Sequence, residues 1–140
     1  MSTTSPNDFN ARIIEQFRAN GGHVGEPFEN TSLLLLHHTG AKSGTERVNP
    51  LAYLRDGDRY VIFASKAGAP TNPDWYHNLR AHPDVTIEVG TDTLKASAHE
   101  VTGEERERLF TAMAERSPNF AEYQRKTDRL IPVIALEPAG

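Results

Sequence analysis

DVTIEVGTDTLKASA, residues 84–98, is the stretch on which the fold turns. Val85, Ile87 and Val89 alternate with polar residues, which is the two-residue period of a strand with one buried face. Gly90-Thr91-Asp92 follows, and Leu94, Ala96 and Ala98 resume the same alternation. Two alternating runs joined by so short a glycine turn form a hairpin, because parallel neighbours would need a crossover of a dozen or more residues. The sheet is therefore expected to be antiparallel.

The same reading extends outward. Arg55-Asp56-Gly57-Asp58 separates two further strand-like runs, residues 48–54 and 60–65, with Asp-Gly as the hairpin signal. Ser32 to His37 holds four consecutive leucines, read as a buried strand although periodicity alone leaves a helix segment open. Residues 131–136 supply a last strand. Among the helices, Ser5-Pro6-Asn7 opens one that carries Phe9, Ile13, Ile14 and Phe17 and stops at Gly21-Gly22. Asn72-Pro73-Asp74 caps a short helix over 75–81, ended by His82-Pro83. Thr102 and Glu105 fit a capping box before Leu109, Phe110 and Met113, and Ser117-Pro118 starts a helix holding Phe120 and Tyr123. About six antiparallel strands with three to four helices predict an α+β, mainly β chain built as a small closed or half-closed barrel. One domain over 1–140 is expected, with residues 1–6 frayed and the first helix over 7–21.

Charge and composition narrow the function. Lys and Arg number 15 against 19 Asp and Glu, a net charge of −4, which argues against a nucleic-acid binder while leaving room for a local basic pocket. With no cysteine there is no thiolate nucleophile or cysteine metal site, so redox chemistry would need a bound cofactor. The start, MSTTSPNDFNARI, has no basic and apolar signal segment, and no apolar run approaches the ~20 residues a bilayer requires. A cytoplasmic protein is expected, with contact to the inner face of the cell membrane left open.

After the leucines comes Gly40-Ala41-Lys42-Ser43-Gly44-Thr45-Glu46-Arg47. It fails the P-loop pattern, since Ala41 precedes Lys42-Ser43. Two readings stay open: a solvated hairpin, or a loop whose glycines bring backbone amides to an anion while Lys42 and Arg47 neutralise charge. Metal is not expected, because His37 and His38 point to opposite faces of a strand and no other pair has ligand spacing. No G-x-S-x-G nucleophile elbow occurs. Trp75 is either core filling or part of the polar and aromatic cluster at its helix start.

Four pieces in order resemble one family: His38-Thr39-Gly40-Ala41-Lys42-Ser43-Gly44 with Arg47; Asn49-Pro50-Leu51; Ala64-Ser65-Lys66-Ala67-Gly68; and Asn72-Pro73-Asp74-Trp75-Tyr76-His77-Asn78-Leu79. They look like the deazaflavin (F420)-dependent nitroreductase family, the F420H2-dependent reductases and quinone reductases of actinobacteria. The likeness spans roughly residues 9–136. It implies the split β-barrel also used by FMN-binding oxidases, and coenzyme F420, a 5-deazaflavin with a phospholactyl group and an oligoglutamate tail. By this resemblance Lys42, Ser43 and Arg47 follow the phosphate and tail. Lys66, Trp75 and Asn78 match the phosphate-side pocket, and Pro50 falls on the cofactor side. The stretch 63–66, Phe63, Ala64, Ser65 and Lys66, would run beside the ring with mainly backbone hydrogen bonds.

The implied reaction is hydride transfer from reduced F420 to electron-poor acceptors: quinones, nitroaromatics and unsaturated lactones of the coumarin type. Phe120 and Tyr123, three apart on one helix, share a face that would wall the acceptor pocket, with Tyr123 donating a hydrogen bond or proton. Phe120 stands where some members carry tyrosine, which leaves preference for nitro compounds open. A small-molecule acceptor is the expected partner, and a monomer or weak dimer the expected state. The alternatives are an FMN-dependent oxidoreductase on the same barrel and an F420 storage or carrier protein without turnover.

Overall fold

The structure, a computed structural model, describes residues 6–21, 33–65 and 71–138. The expected fraying of 1–6 falls, apart from Pro6, outside the described residues. Helix α1 (Pro6–Ala19) leads to strands β1 (Leu33–Thr39), β2 (Glu46–Asp56) and β3 (Arg59–Phe63). Helix α2 (Asp74–Ala81), β4 (Asp84–Val89), β5 (Asp92–Val101), α3 (Gly103–Arg116), α4 (Asn119–Lys126) and β6 (Val133–Pro138) complete the order. The strands close into a barrel in the order β1-β2-β3-β6-β5-β4, every pairing antiparallel.

Both predicted hairpins form. Val89 pairs with Asp92 across Gly90, whose φ is 59°, and Asp56 pairs with Arg59 across Gly57, whose φ is 60°. Glycine occupies each first loop position because a two-residue hairpin turn needs a left-handed backbone there, which a Cβ penalises. The register places Leu36, Ile62, Ile87, Ile134 and Leu136 in the barrel interior. On the outer surface Leu33 and Leu35 of β1 pack against Ile13 and Phe17 of α1. The unbroken leucine run is thus a strand covered on both faces, the situation in which alternation disappears. A third layer sets Leu109, Phe110 and Met113 of α3 against Val61, Phe63 and Val133.

Some boundaries and caps differ from the expectations. β3 ends at Phe63 rather than Ser65, and β6 begins at Val133 rather than Ile131. The Ala64 N–H still donates to Pro132 O, but Pro132 has no N–H, and the Ile131 N–H donates to Gln124 Oε1 instead of the ladder. Thr102 does stand at the α3 N-cap, yet no side-chain cap bond forms. Glu105 is drawn to Arg59, whose Nη2 lies 2.9 Å from Oε2. Likewise Pro73 holds the α2 N-cap position, while the Asn72 side chain accepts from Arg129 at 2.7 Å. In each case a charged partner distant in sequence outcompetes the local backbone amide.

Candidate functional site

Thr39 of β1 pairs with Glu46 of β2, leaving residues 40–45 as a six-residue loop at the barrel mouth. The loop closes on itself: Gly40 N–H donates to Thr45 O at 2.9 Å, and Gly44 N–H to Gly40 O at 3.0 Å. Ser43 Oγ accepts from the Thr45 N–H at 3.2 Å. A Cβ on residue 40 would collide with that same Oγ, so glycine is what permits the Ser43 bond. Gly44 has φ 70°, a left-handed conformation that disfavours any side chain.

What the loop leaves over has the character of an anion site. Lys42, Ser43 and Arg47 are exposed. Among the described residues, neither Lys42 nor Arg47 has a carboxylate partner, and the N–H groups of Lys42 and Ser43 have no intramolecular acceptor. Two cationic side chains beside free backbone amides suit a ligand with several negative charges. A second opening fits such a ligand poorly. A cavity of about 770 Å³ near the end of β1 is lined by His38, Thr39, Glu46, Asp84, Lys95 and Glu137 among others, three carboxylates against one ammonium.

The loop is anchored from below. Ala41 N–H donates to Asn78 Oδ1 at 2.9 Å, and Asn78 Nδ2 lies 3.0 Å from His38 Nδ1. His38 Nε2 is 2.6 Å from Asn49 Oδ1. Asn78 and His38 are 7% and 3% exposed, so these are buried polar groups whose partners satisfy them. Burial pushes the His38 imidazole below its usual range, with Arg47 and His37 adding to the effect. Each end of the Asn78 amide therefore has one partner within the protein.

A second group forms beside the end of β3. Phe63 packs its ring 6.1 Å from Phe110 and 5.5 Å from Phe120, and Phe120 lies 5.5 Å from Tyr123. Tyr123 is half-buried, and among the described residues its hydroxyl has no partner. Arg129 clamps the segment that follows: Nη1 donates to Ala64 O at 3.0 Å and to Asn72 Oδ1, and Nη2 to Ser65 O at 2.8 Å. Its guanidinium pKa is lowered by burial. With Ala64 N–H already given to Pro132, the backbone there is rigidly held before any ligand arrives.

The predicted site residues thus fall into two groups linked by α2, which touches the loop through Asn78 and adjoins the Arg129 clamp through Asn72. Lys42 and Ser43 lie on the loop and Arg47 follows it in β2 opposite His38; Phe63, Ala64, Ser65, Phe120 and Tyr123 gather at the end of β3. Trp75 stands apart from both, buried in the barrel interior with Leu34, Leu36 and Ile62. Pro50 is half-buried in β2 opposite Leu35, and Lys66 lies outside the described residues. His38, Asn49 and Arg129 were not singled out as site residues. His38 had a signal in its parity: it continues the inward series Leu34, Leu36, and a polar side chain on that face needs partners. Arg129 had no local signal.

Comparison with known proteins bears on this arrangement. Residues 11–138 match the model of the F420H(2)-dependent quinone reductase family. An F420H(2)-dependent quinone reductase of Mycobacterium tuberculosis is 42% identical over 124 residues, 86% of this chain and 83% of that protein. A solved F420-H2 dependent reductase is 44% identical with a TM-score of 0.70, covering 75% of this chain and 93% of that one. Another solved structure, described as a domain-swapped dimer, is 41% identical with a TM-score of 0.72 over 95% of this chain and 100% of that one. With its closed antiparallel barrel and an anion-suited loop at the mouth, the chain belongs to the F420H2-dependent quinone reductase family and is an oxidoreductase of coenzyme F420.

Proposed function

We propose that the chain reduces quinones, and with them nitroaromatics and unsaturated lactones, by holding F420 along α2 from the loop 40–45 to the clamped segment at Ala64 and Ser65. When bound, reduced F420 supplies a hydride from C5 of its deazaflavin. Lys42 and Arg47 neutralise the phosphate and tail, while Ser43 and the free amides of the loop donate to their oxygens. Lys66 belongs to the same proposal. Trp75 supports the pocket from within the core. Phe63 and Phe120 exclude water beside the ring, and Tyr123 offers its unpartnered hydroxyl to the acceptor's oxygen, where negative charge develops. The observation that carries this reading is a loop on a buried anchor with two free amides, and with Lys42 on it and Arg47 just after it lacking carboxylate partners among the described residues. The test is fluorescence titration with tailed F420, its tail-less precursor and FMN. Lys42→Ala and Arg47→Ala should each weaken tailed F420 about tenfold, since exposure and salt hold a charged hydrogen bond to the low end of its range. The tail-less precursor should be affected less. Parent-like affinity in both variants at low salt would make the loop a solvated hairpin.

No described helix is long and apolar enough to cross a membrane. For a cytoplasmic protein meeting membrane quinones at the inner face, light scattering should show a monomer or weak dimer, and flotation should show only salt-sensitive vesicle binding.

A further inference from the structure

We infer that His38 is a positioning residue for cofactor binding: through Asn78 it holds the loop 40–45 in the shape that presents its free amides, and it does so only as the neutral imidazole with its proton on Nε2. This rests on the reading that the loop carries the cofactor's anionic groups.

The polarity of the chain of hydrogen bonds follows from its one fixed end. A backbone N–H can only donate, so the Ala41 amide requires the oxygen of Asn78 at 2.9 Å. The other end of that amide is then NH2, and it faces His38 Nδ1 at 3.0 Å. Nδ1 must accept, so the proton sits on Nε2 and donates to Asn49 Oδ1 at 2.6 Å. Ala41 thus selects the tautomer of His38 through Asn78.

Protonating His38 breaks this order whichever way Asn78 responds. If the amide stays, its NH2 meets an N–H. If it flips, its oxygen satisfies His38 but its NH2 meets the Ala41 N–H. Either way one donor loses its acceptor: without the flip Asn78 loses the bond that orients it beneath the loop, and with the flip the Ala41 N–H loses its own acceptor. The charged groups around His38 are Arg47 and Glu46 of β2, His37 beside it on β1 and Asp74 of α2. Across the cavity stand Asp84 of β4, Lys95 of β5 and Glu137 of β6. Burial, which depresses the His38 pKa, keeps the ring neutral near pH 7.

The test combines spectra of the cofactor-free protein with binding. Nitrogen NMR should show a protonated Nε2 and a bare Nδ1 on His38. Amide exchange at Ala41 should be slow in the parent, about tenfold or more faster in His38→Leu, and parent-like in His38→Asn, whose Oδ1 replaces the Nδ1 acceptor. F420 affinity should fall about five- to tenfold in His38→Leu and stay within about threefold in His38→Asn. As the pH is lowered below the ordinary imidazole range the parent should lose affinity while His38→Asn stays level; His37→Asn should follow the parent. A proton on Nδ1, or unchanged Ala41 exchange in His38→Leu, overturns the inference. So does parent-like F420 affinity in His38→Leu when Lys42→Ala is weakened. If instead the His38 variant is weakened while Lys42→Ala and Arg47→Ala bind normally, the charge reading of the loop fails and the positioning role stands. Should His38→Leu not fold, the level pH profile of His38→Asn decides, and a sloping one overturns the inference.

Discussion

Tyr123 shows what a single side chain contributes here. Its ring is set by edge contact with Phe120, which in turn rests on Phe63, so among the described residues the phenol is held by packing and not by any bond from its oxygen. A positioned hydroxyl with nothing to donate to is suited to an oxygen that gains charge during reaction, and such a bond lowers the barrier more than it tightens the ground state. Tyr123→Phe should therefore lower kcat for quinone reduction roughly ten- to a thousandfold with F420 affinity within about twofold. Steady-state oxidation of F420H2 beside a fluorescence titration reads both. Full turnover would return Tyr123 to a packing role. Asn78 adds a second role at the same scale: the resemblance implies a cofactor ligand, and its amide also joins Ala41 to His38, using one lone pair of Oδ1 and one hydrogen of Nδ2.

Among the elements, α4 is held in an unusual way. None of its residues is buried, so apolar packing alone is a weak restraint. Gln124 supplies another. Its Oε1 accepts from Arg106 Nη2 at 2.9 Å and from Ile131 N–H at 3.1 Å, and its Nε2 donates to Arg129 O at 2.8 Å. Arg106, 4% exposed, also donates to Ile131 O and lies 4.5 Å over the Phe110 ring. Gln124→Leu removes an acceptor from a buried guanidinium and from a backbone amide, and should cost about 1–3 kcal/mol. Denaturant unfolding would measure the loss, and hydrogen exchange should show it concentrated in α4 and residues 127–131 with barrel protection unchanged. Uniform loss of protection would mean that α4 is integral to the core. No local pattern reveals this pin, because Gln124 reads as one more polar residue on an exposed helix face.

At the scale of the whole molecule, two ion-pair clusters tie the outer layers to the barrel. Glu88 of β4 binds Arg18 of α1 at 2.6 Å and His37 of β1 at 2.6 Å. Asp56, at the β2–β3 turn, meets Arg59 at 2.6 Å and Arg108 of α3 at 3.3 Å. Hydrogen bonds from these arginines hold both carboxyl pKa values below their usual range. A depressed folded pKa means stability that is present above the unfolded value and lost as pH falls through the folded one. His38, also depressed, has the same sign: its contribution is complete above about pH 6.5 and declines below it. Thermal stability should thus begin to fall below about pH 6.5 and fall further below about pH 4.5. The carboxylate limb should be shallow, since partly exposed pairs are worth about 0–1 kcal/mol each. The double variant Glu88→Gln, Asp56→Asn should flatten that lower limb in a thermal-melt series. An unaltered slope would assign the acid sensitivity elsewhere.

The amino-acid sequence alone determined the antiparallel hairpins, the burial of the leucine run, the approximate helix positions and the likeness to the F420 reductases. These are legible because period, turn glycines and motif order act over a few neighbouring residues. Tertiary structure alone decided how the barrel closes, with β6 inserted between β3 and β5, because strand order depends on which edges meet after the hairpins have formed. It also decided the hydrogen-bond partners. Asn78 reaches Ala41 from 37 residues away and Arg129 reaches Ala64 from 65, while the capping box at Thr102 yields Glu105 to Arg59. A side chain's donors and acceptors are written in its identity, but the group that satisfies them is whichever the packed chain brings within about 3 Å.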